Sequence, residues 1–406
     1  MKNLLSQNKT CQLLLLIIIS ALSFKIIPAW FIPLRKEWPL LVLASFIIVL
    51  FHRKPLFKDK LFIVLSFYSI AVFVKVATGS MLFPNFPVAL FEVMLLFVPA
   101  FLPLTIILNN NYQFIKKTLF VTFLFLMIET LGSYFVLGMY PGAIRSMYIY
   151  MINEGESAGF ELYKQGLVDY GLCHGLPILI PPLFYIFKTH KETPIKFFSL
   201  IAIVACTSLV WMSESTTALL LLVAMLLLGF MTRLHRSNTS VIVIAILMFP
   251  FIVSDTLQLL VLETLGNILG ADSSSADKIY ELQQSVTKGE QGGDLQGRIE
   301  RYSLSLNMFF SNPLWGSNGK VGMHSALIDR LGTLGLIGII PIFLFFKFYF
   351  QRMNQWIPKK AKVFYIEAVI AGILMLFAKS MWLWPLFFCF FIIMPFLFIY
   401  DFSKVK

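Results

Sequence analysis

Apolar runs recur along this chain from residue 11 to residue 400, and the intervals between them leave no room for a water-soluble domain. Twelve such runs are read at roughly 11–28, 38–51, 61–77, 88–108, 118–140, 172–187, 197–212, 215–232, 240–254, 331–350, 363–379 and 381–400. An upright membrane helix needs about twenty apolar residues, so the shorter runs must extend into their flanks. The composition agrees: 58% of residues are apolar and 13% charged, whereas soluble domains carry about a quarter charged residues. The expectation is an all-α polytopic membrane protein, residues 1–406 forming a single integral membrane domain with about twelve transmembrane helices. The first run follows Lys2 and Lys9 as a signal peptide would, but no A-x-A cleavage site follows it, so it reads as a retained span.

The net charge of +12 sorts by side instead of forming a basic face for nucleic acid. With the N-terminus in the cytoplasm, the segments that become cytoplasmic hold 20 Lys and Arg residues and the outer segments hold 11. Positive residues concentrate on the cytoplasmic side of membrane spans, so both termini are expected there. Cys11, Cys173, Cys206 and Cys389 lie in or beside apolar runs without CxxC spacing and read as buried thiols.

Two segments on the outer side are long: residues 141–171, and residues 255–330, a loop of 76 residues. Connections of that length usually carry function or are disordered. Residues 256–270 suit a helix lying on the membrane surface, a re-entrant segment, or an extension of the preceding span. Further on, Ile299, Tyr302, Leu306 and Phe309 recur at steps of three and four, which predicts a short amphipathic helix with Arg298 and Arg301 on one face. Asn312-Pro313 should end it, Gly316 and Gly319 permit a compact turn, and Ser325 is placed to cap the helix entering the tenth span.

This stretch resembles the C-terminal signature of the bacterial O-antigen and capsular polysaccharide polymerase and ligase superfamily. The matching features are Arg298 and Arg301, the N-P-L-x-G turn at Asn312–Gly316, His324 with Ser325, and the Gly-rich entry at Gly332–Gly338. Residues 213–220, SESTTALL, resemble the family's segment before the large loop, with Glu214 and Ser215 where an arginine often stands. The resemblance implies a GT-C-like fold in the bacterial inner membrane with its active site on the outer, periplasmic face. It also implies transfer of glycan from an undecaprenyl-diphosphate-linked donor to a lipid-linked acceptor, with membrane lipids and a chain-length regulator as further partners. Polymerisation of repeat units is preferred over ligation to lipid A-core, because arginines occur in both long loops and the larger loop lacks a separate acceptor-recognition domain.

Such chemistry needs cations for the departing diphosphate and a group to take the acceptor's proton. Arginine offers a permanent charge and a fixed fork of donors, so Arg298 and Arg301, with Arg145 in the other loop, are diphosphate candidates. The plainer alternative is a solvated pair facing lipid headgroups. His324 suits a general base or a diphosphate ligand, unless it merely packs at the helix entry. Glu214 at the outer hairpin is a base, an acceptor ligand or a turn residue, and Tyr302 and Lys75 complete the substrate-binding candidates, Lys75 being also placed to snorkel toward headgroups. Glu92 and Glu129 lie inside spans, where a carboxylate points at a cavity or a partner; Asp329–Arg330 read as a helix anchor. No D-x-D motif or dense outer carboxylate cluster is present, so no cofactor and a metal-independent reaction are expected. The rival reading from another class is a polysaccharide or lipid transporter, although no matching broken spans repeat in the two halves.

Overall fold

The computed structural model describes residues 9–23, 38–52, 55–109, 112–139, 167, 170–213, 215–232, 280, 293–379 and 382–399. Their regular elements are all helices. We number them α1 (Lys9–Ser23), α2 (Trp38–Phe51), α3 (Lys60–Ala77), α4 (Phe86–Leu108), α5 (Tyr112–Met139), α6 (Tyr170–Thr189), α7 (Thr193–Met212), α8 (Thr216–Met231), α9 (Gly293–Ser311), α10 (Ala326–Met353), α11 (Lys362–Ala378) and α12 (Trp384–Ile399). Among the described residues, α3, α4, α5, α6, α7, α10 and α11 are long and apolar enough to cross a membrane, and α1, α2, α8 and α12 are shorter apolar helices. The chain is therefore a multi-pass membrane protein. The predicted run at 240–254 lies outside the described residues, as do residues 256–270.

Local sequence accounts for the helix starts. Asp59 accepts the Leu61 N–H to cap α3, and Asn85 accepts the Val88 N–H to cap α4. The two spans richest in internal proline, α4 with Pro99 and Pro103 and α6 with Pro177, Pro181 and Pro182, are also the most covered by neighbours. A proline removes a backbone donor and exposes a carbonyl, which lipid cannot satisfy but a packed protein interior can. The buried α6 is the hub, with α7, α8, α11 and α12 against it; α3 packs on α10, and α9 lies on α10.

Polar bonds between helix ends sort the bundle into two sides. At one, Arg352 of α10 donates to Asp59 at 2.5 Å, His52 Nδ1 lies 2.9 Å from Thr105 Oγ1, and Asn109 donates to the Phe51 carbonyl. There too Lys188 Nζ donates to the carbonyls of Gly229, Phe230 and Thr232, satisfying the open end of α8. Burial pushes the Asp59 carboxyl up, but the His52 ring 3.5 Å away and the hydrogen bond and charge of Arg352 outweigh it and hold the group well below the usual carboxylate range. At the other side α3 ends on the 312–318 turn and α11 ends on α9. Helices α3, α10 and α11 thus run the full distance between the two polar layers.

Candidate functional site

The site begins with an interruption. Gly335 has φ +60° and ψ −160°, so α10 is two helical segments that meet there. A break inside an apolar bundle leaves N–H and C=O groups needing partners. The 312–318 turn supplies them: the Leu336 and Ile337 N–H groups donate to the carbonyls of Pro313 and Leu314 at 2.9 and 3.1 Å, and the Ser317 N–H donates to the Gly332 carbonyl at 2.9 Å. The turn closes on itself through the Gly316 N–H to the Asn312 carbonyl. Gly316 also has a positive φ, +66°, and a Cβ there would overlap the Thr333 carbonyl, so both glycines serve one close approach of backbones.

The end of α3 fastens the turn from the other side. Lys75 Nζ, buried, donates to the Gly316 carbonyl at 3.2 Å and to Asn318 Oδ1 at 3.1 Å. Asn318 in turn donates to the Thr78 carbonyl at 2.8 Å, and the Met81 N–H donates to the Asn318 carbonyl.

Helix α9 lies against this unit at two glycines, Gly322 facing the Arg301 backbone and Gly332 facing the Ser305 backbone. Ser305 Oγ donates to Asp329 Oδ1 at 2.6 Å and accepts the Gly322 N–H at 2.9 Å. Asp329 Oδ2 accepts the Ser325 N–H at 3.2 Å, while Ser325 Oγ accepts the Ile328 N–H as the expected cap. The Tyr302 ring meets His324 edge-on, with centroids 5.3 Å apart and planes at 78°, and the Tyr302 hydroxyl donates to the Ala378 carbonyl. Arg301, beside Tyr302, is exposed, and His324 is half-buried.

Deeper in, Arg330 forms a two-pronged ion pair with Glu92 of α4: Nε to Oε1 at 2.5 Å and Nη2 to Oε2 at 2.6 Å. Tyr68 of α3 donates to the same carboxylate, and the guanidinium lies 3.6 Å from the centroid of the Trp382 ring. Both ionic groups are buried. Their desolvation is offset by the paired geometry, by the tyrosine and by the aromatic face, so removing either member strands the other.

The structure therefore gathers Arg301, Tyr302, His324 and Lys75 around one assembly. Arg298 lies on α9, one turn from Arg301, with its side chain outside the described residues; Arg145 and Glu214 lie outside them altogether. Lys75 has protein partners in place of a headgroup. His174 is buried at the start of α6, its Nε2 2.9 Å from Ser215 Oγ, and it ties α6 to the start of α8. The intramembrane position of Glu92 announced a partner, but nothing in the local sequence pointed to Arg330, 238 residues away. Ser305 and Trp382 carry no local signal of their roles either, because their partners Asp329 and Arg330 lie on other elements. Among the described residues no group of three or more His, Cys, Asp or Glu side chains is placed to share a metal ion. Comparison with protein-family models returns no match, and comparison with curated protein sequences returns none either.

Proposed function

We propose that this protein is a glycosyltransferase that polymerises undecaprenyl-diphosphate-linked oligosaccharide repeat units, for O-antigen or capsule, at the outer face of the bacterial inner membrane. The observation that carries the reading is the convergence of the motif's separate pieces. The arginine-bearing helix packs on the Gly-rich entry, the N-P-L-x-G turn fills the break at Gly335, and Tyr302 lies against His324. In this reading the chain crosses the membrane about twelve times in a GT-C-like fold, both termini are cytoplasmic, and the layer holding α9 faces outward.

The chemistry assigned to it is simple to balance. The acceptor hydroxyl attacks the anomeric carbon and forms the new C–O bond as the bond to the lipid diphosphate breaks. The diphosphate leaves with the electron pair, and His324 takes the hydroxyl proton or holds the diphosphate in place while the departing diphosphate takes that proton. Arg301 and Arg298, with Arg145, supply positive charge where negative charge grows. No metal has a step in this scheme. The acceptor is a second lipid-linked repeat unit, and transfer to lipid A-core by a ligase is the nearest alternative. Incubation of the purified protein with lipid-linked repeat units tests the assignment: a ladder of longer products supports it, and glycan appearing only on lipid A-core favours the ligase.

One observation favours a transporter instead. Helix α10 is broken within the bundle beside a buried ion pair, a combination found where membrane proteins bind and move solutes. Movement of lipid-linked glycan across a vesicle membrane with no change in linkage is the outcome that selects this second reading.

A further inference from the structure

We infer that Ser305 and Asp329 are positioning residues that hold the His324 loop in its working conformation, an inference that rests on the glycosyl-transfer reading above. The loop from Gly322 to Ser325 is tied at both ends to one buried pair. The Gly322 N–H donates to Ser305 Oγ at 2.9 Å, Ser305 Oγ donates to Asp329 Oδ1 at 2.6 Å, and Asp329 Oδ2 accepts the Ser325 N–H at 3.2 Å. His324 is carried between these two ties.

The loop needs holding. Met323, immediately before His324, has φ +54°, a left-handed conformation that is unfavourable for a residue carrying a side chain. Its side chain is exposed, so packing of Met323 does not impose that conformation. Ser305 and Asp329 are 0% and 2% exposed, and water does not compete for their bonds. Tyr302 precedes Ser305 by three residues and shares its face of α9. A single helical turn therefore supplies both the ring that His324 abuts and the hydroxyl that fixes its loop. Neither Ser305 nor Asp329 needs to touch substrate; each acts through the imidazole.

The full-length protein with Ser305→Ala or Asp329→Asn tests this. Alanine removes both bonds of Ser305, and asparagine presents an amide donor toward one of the two donors that the carboxylate accepts. Turnover in chain extension should fall about tenfold to a hundredfold, with KM for the lipid-linked donor changed by no more than about twofold. Modification of His324 by diethyl pyrocarbonate, followed by mass spectrometry of its peptide, should quicken severalfold, while buried His52 and His174 stay protected. An unchanged His324 rate, or simultaneous exposure of all three histidines, overturns the inference, as does full turnover with a loosened loop. If Asp329→Asn does not accumulate in the membrane, Ser305→Cys, close in size and a weaker donor and acceptor, carries the same test. A wild-type protein that extends no glycan contradicts the functional reading alone, and the modification rates still decide whether the pair holds the loop.

Discussion

Arg330 and Glu92 meet in a two-pronged ion pair that joins the first segment of α10 to α4 across 238 residues of sequence. The pair is asymmetric in its consequences, because each charge is tolerable only beside the other. Arg330→Met or Glu92→Leu alone should therefore destabilise the protein by about 3–5 kcal/mol, whereas the double replacement should recover most of that loss. Thermal unfolding in detergent measures both. A double-variant loss equal to the sum of the two single losses would show that the pairing itself contributes nothing.

The meeting of Gly316 and Gly335 makes a second prediction. Both have positive φ and each stands where a Cβ would strike backbone of the other's segment, so alanine at either should cost about 2 kcal/mol or more. Gly319 lies in the same region with only the end of the Met308 side chain within 4 Å, and Gly319→Ala should be tolerated. Comparing the unfolding temperatures of the three alanine variants checks the contrast.

On the opposite layer, Asp59 bears on acid stability. Its carboxyl is held below the ordinary value of 3.8, so its stabilisation is present above that value and fades as pH falls through the depressed one. Asp59→Asn should be less stable than wild type at neutral pH by about 2 kcal/mol. The gap should shrink as the pH drops below 3.8. Parallel unfolding scans at neutral and acid pH read this directly, and a gap that widens on acidification contradicts the assignment.

The proposed chemistry singles out Arg301 and His324. Arg301→Ala and His324→Ala should each lower turnover about a hundredfold at unchanged membrane levels, and Arg298→Ala should do likewise. Arg301→Lys should recover only part of the activity, because a point charge does not reproduce the guanidinium's fork of donors. Chelation should leave the rate unchanged. Loss of activity restored by Mg²⁺ or Mn²⁺ would bring a metal into the reaction, and near-normal polymer from both arginine variants removes them from it.

Much of this arrangement was legible in the residues because its signals are local. Hydropathy marks spans, Ser325 announces a cap, and Asn312-Pro313 ends a helix, since each effect acts within a few residues. The residues before it announce the helix start at Ala326; nothing local announces the break at Gly335. A glycine-rich apolar run reads as a flexible or closely packed span, and only the turn docked against it makes a positive φ favourable. Lys75 illustrates the same limit. Its place near the end of a span suggested a side chain reaching for headgroups, and the turn that occupies its ammonium comes 241 residues later. Long-range pairs such as Glu92 with Arg330 and Ser305 with Asp329 depend on helix packing, which no short window encodes.

The central claim is that the departing lipid diphosphate sits against α9 and the His324 loop. A photoreactive undecaprenyl-diphosphate glycan, crosslinked to the membrane-embedded protein and mapped by peptide sequencing, tests it most directly. The account predicts labelling of the peptides that carry Arg301, Tyr302 and His324, reduced by excess unlabelled donor. Competable labelling confined to the opposite layer, around Asp59, Lys188 and Arg352, contradicts it.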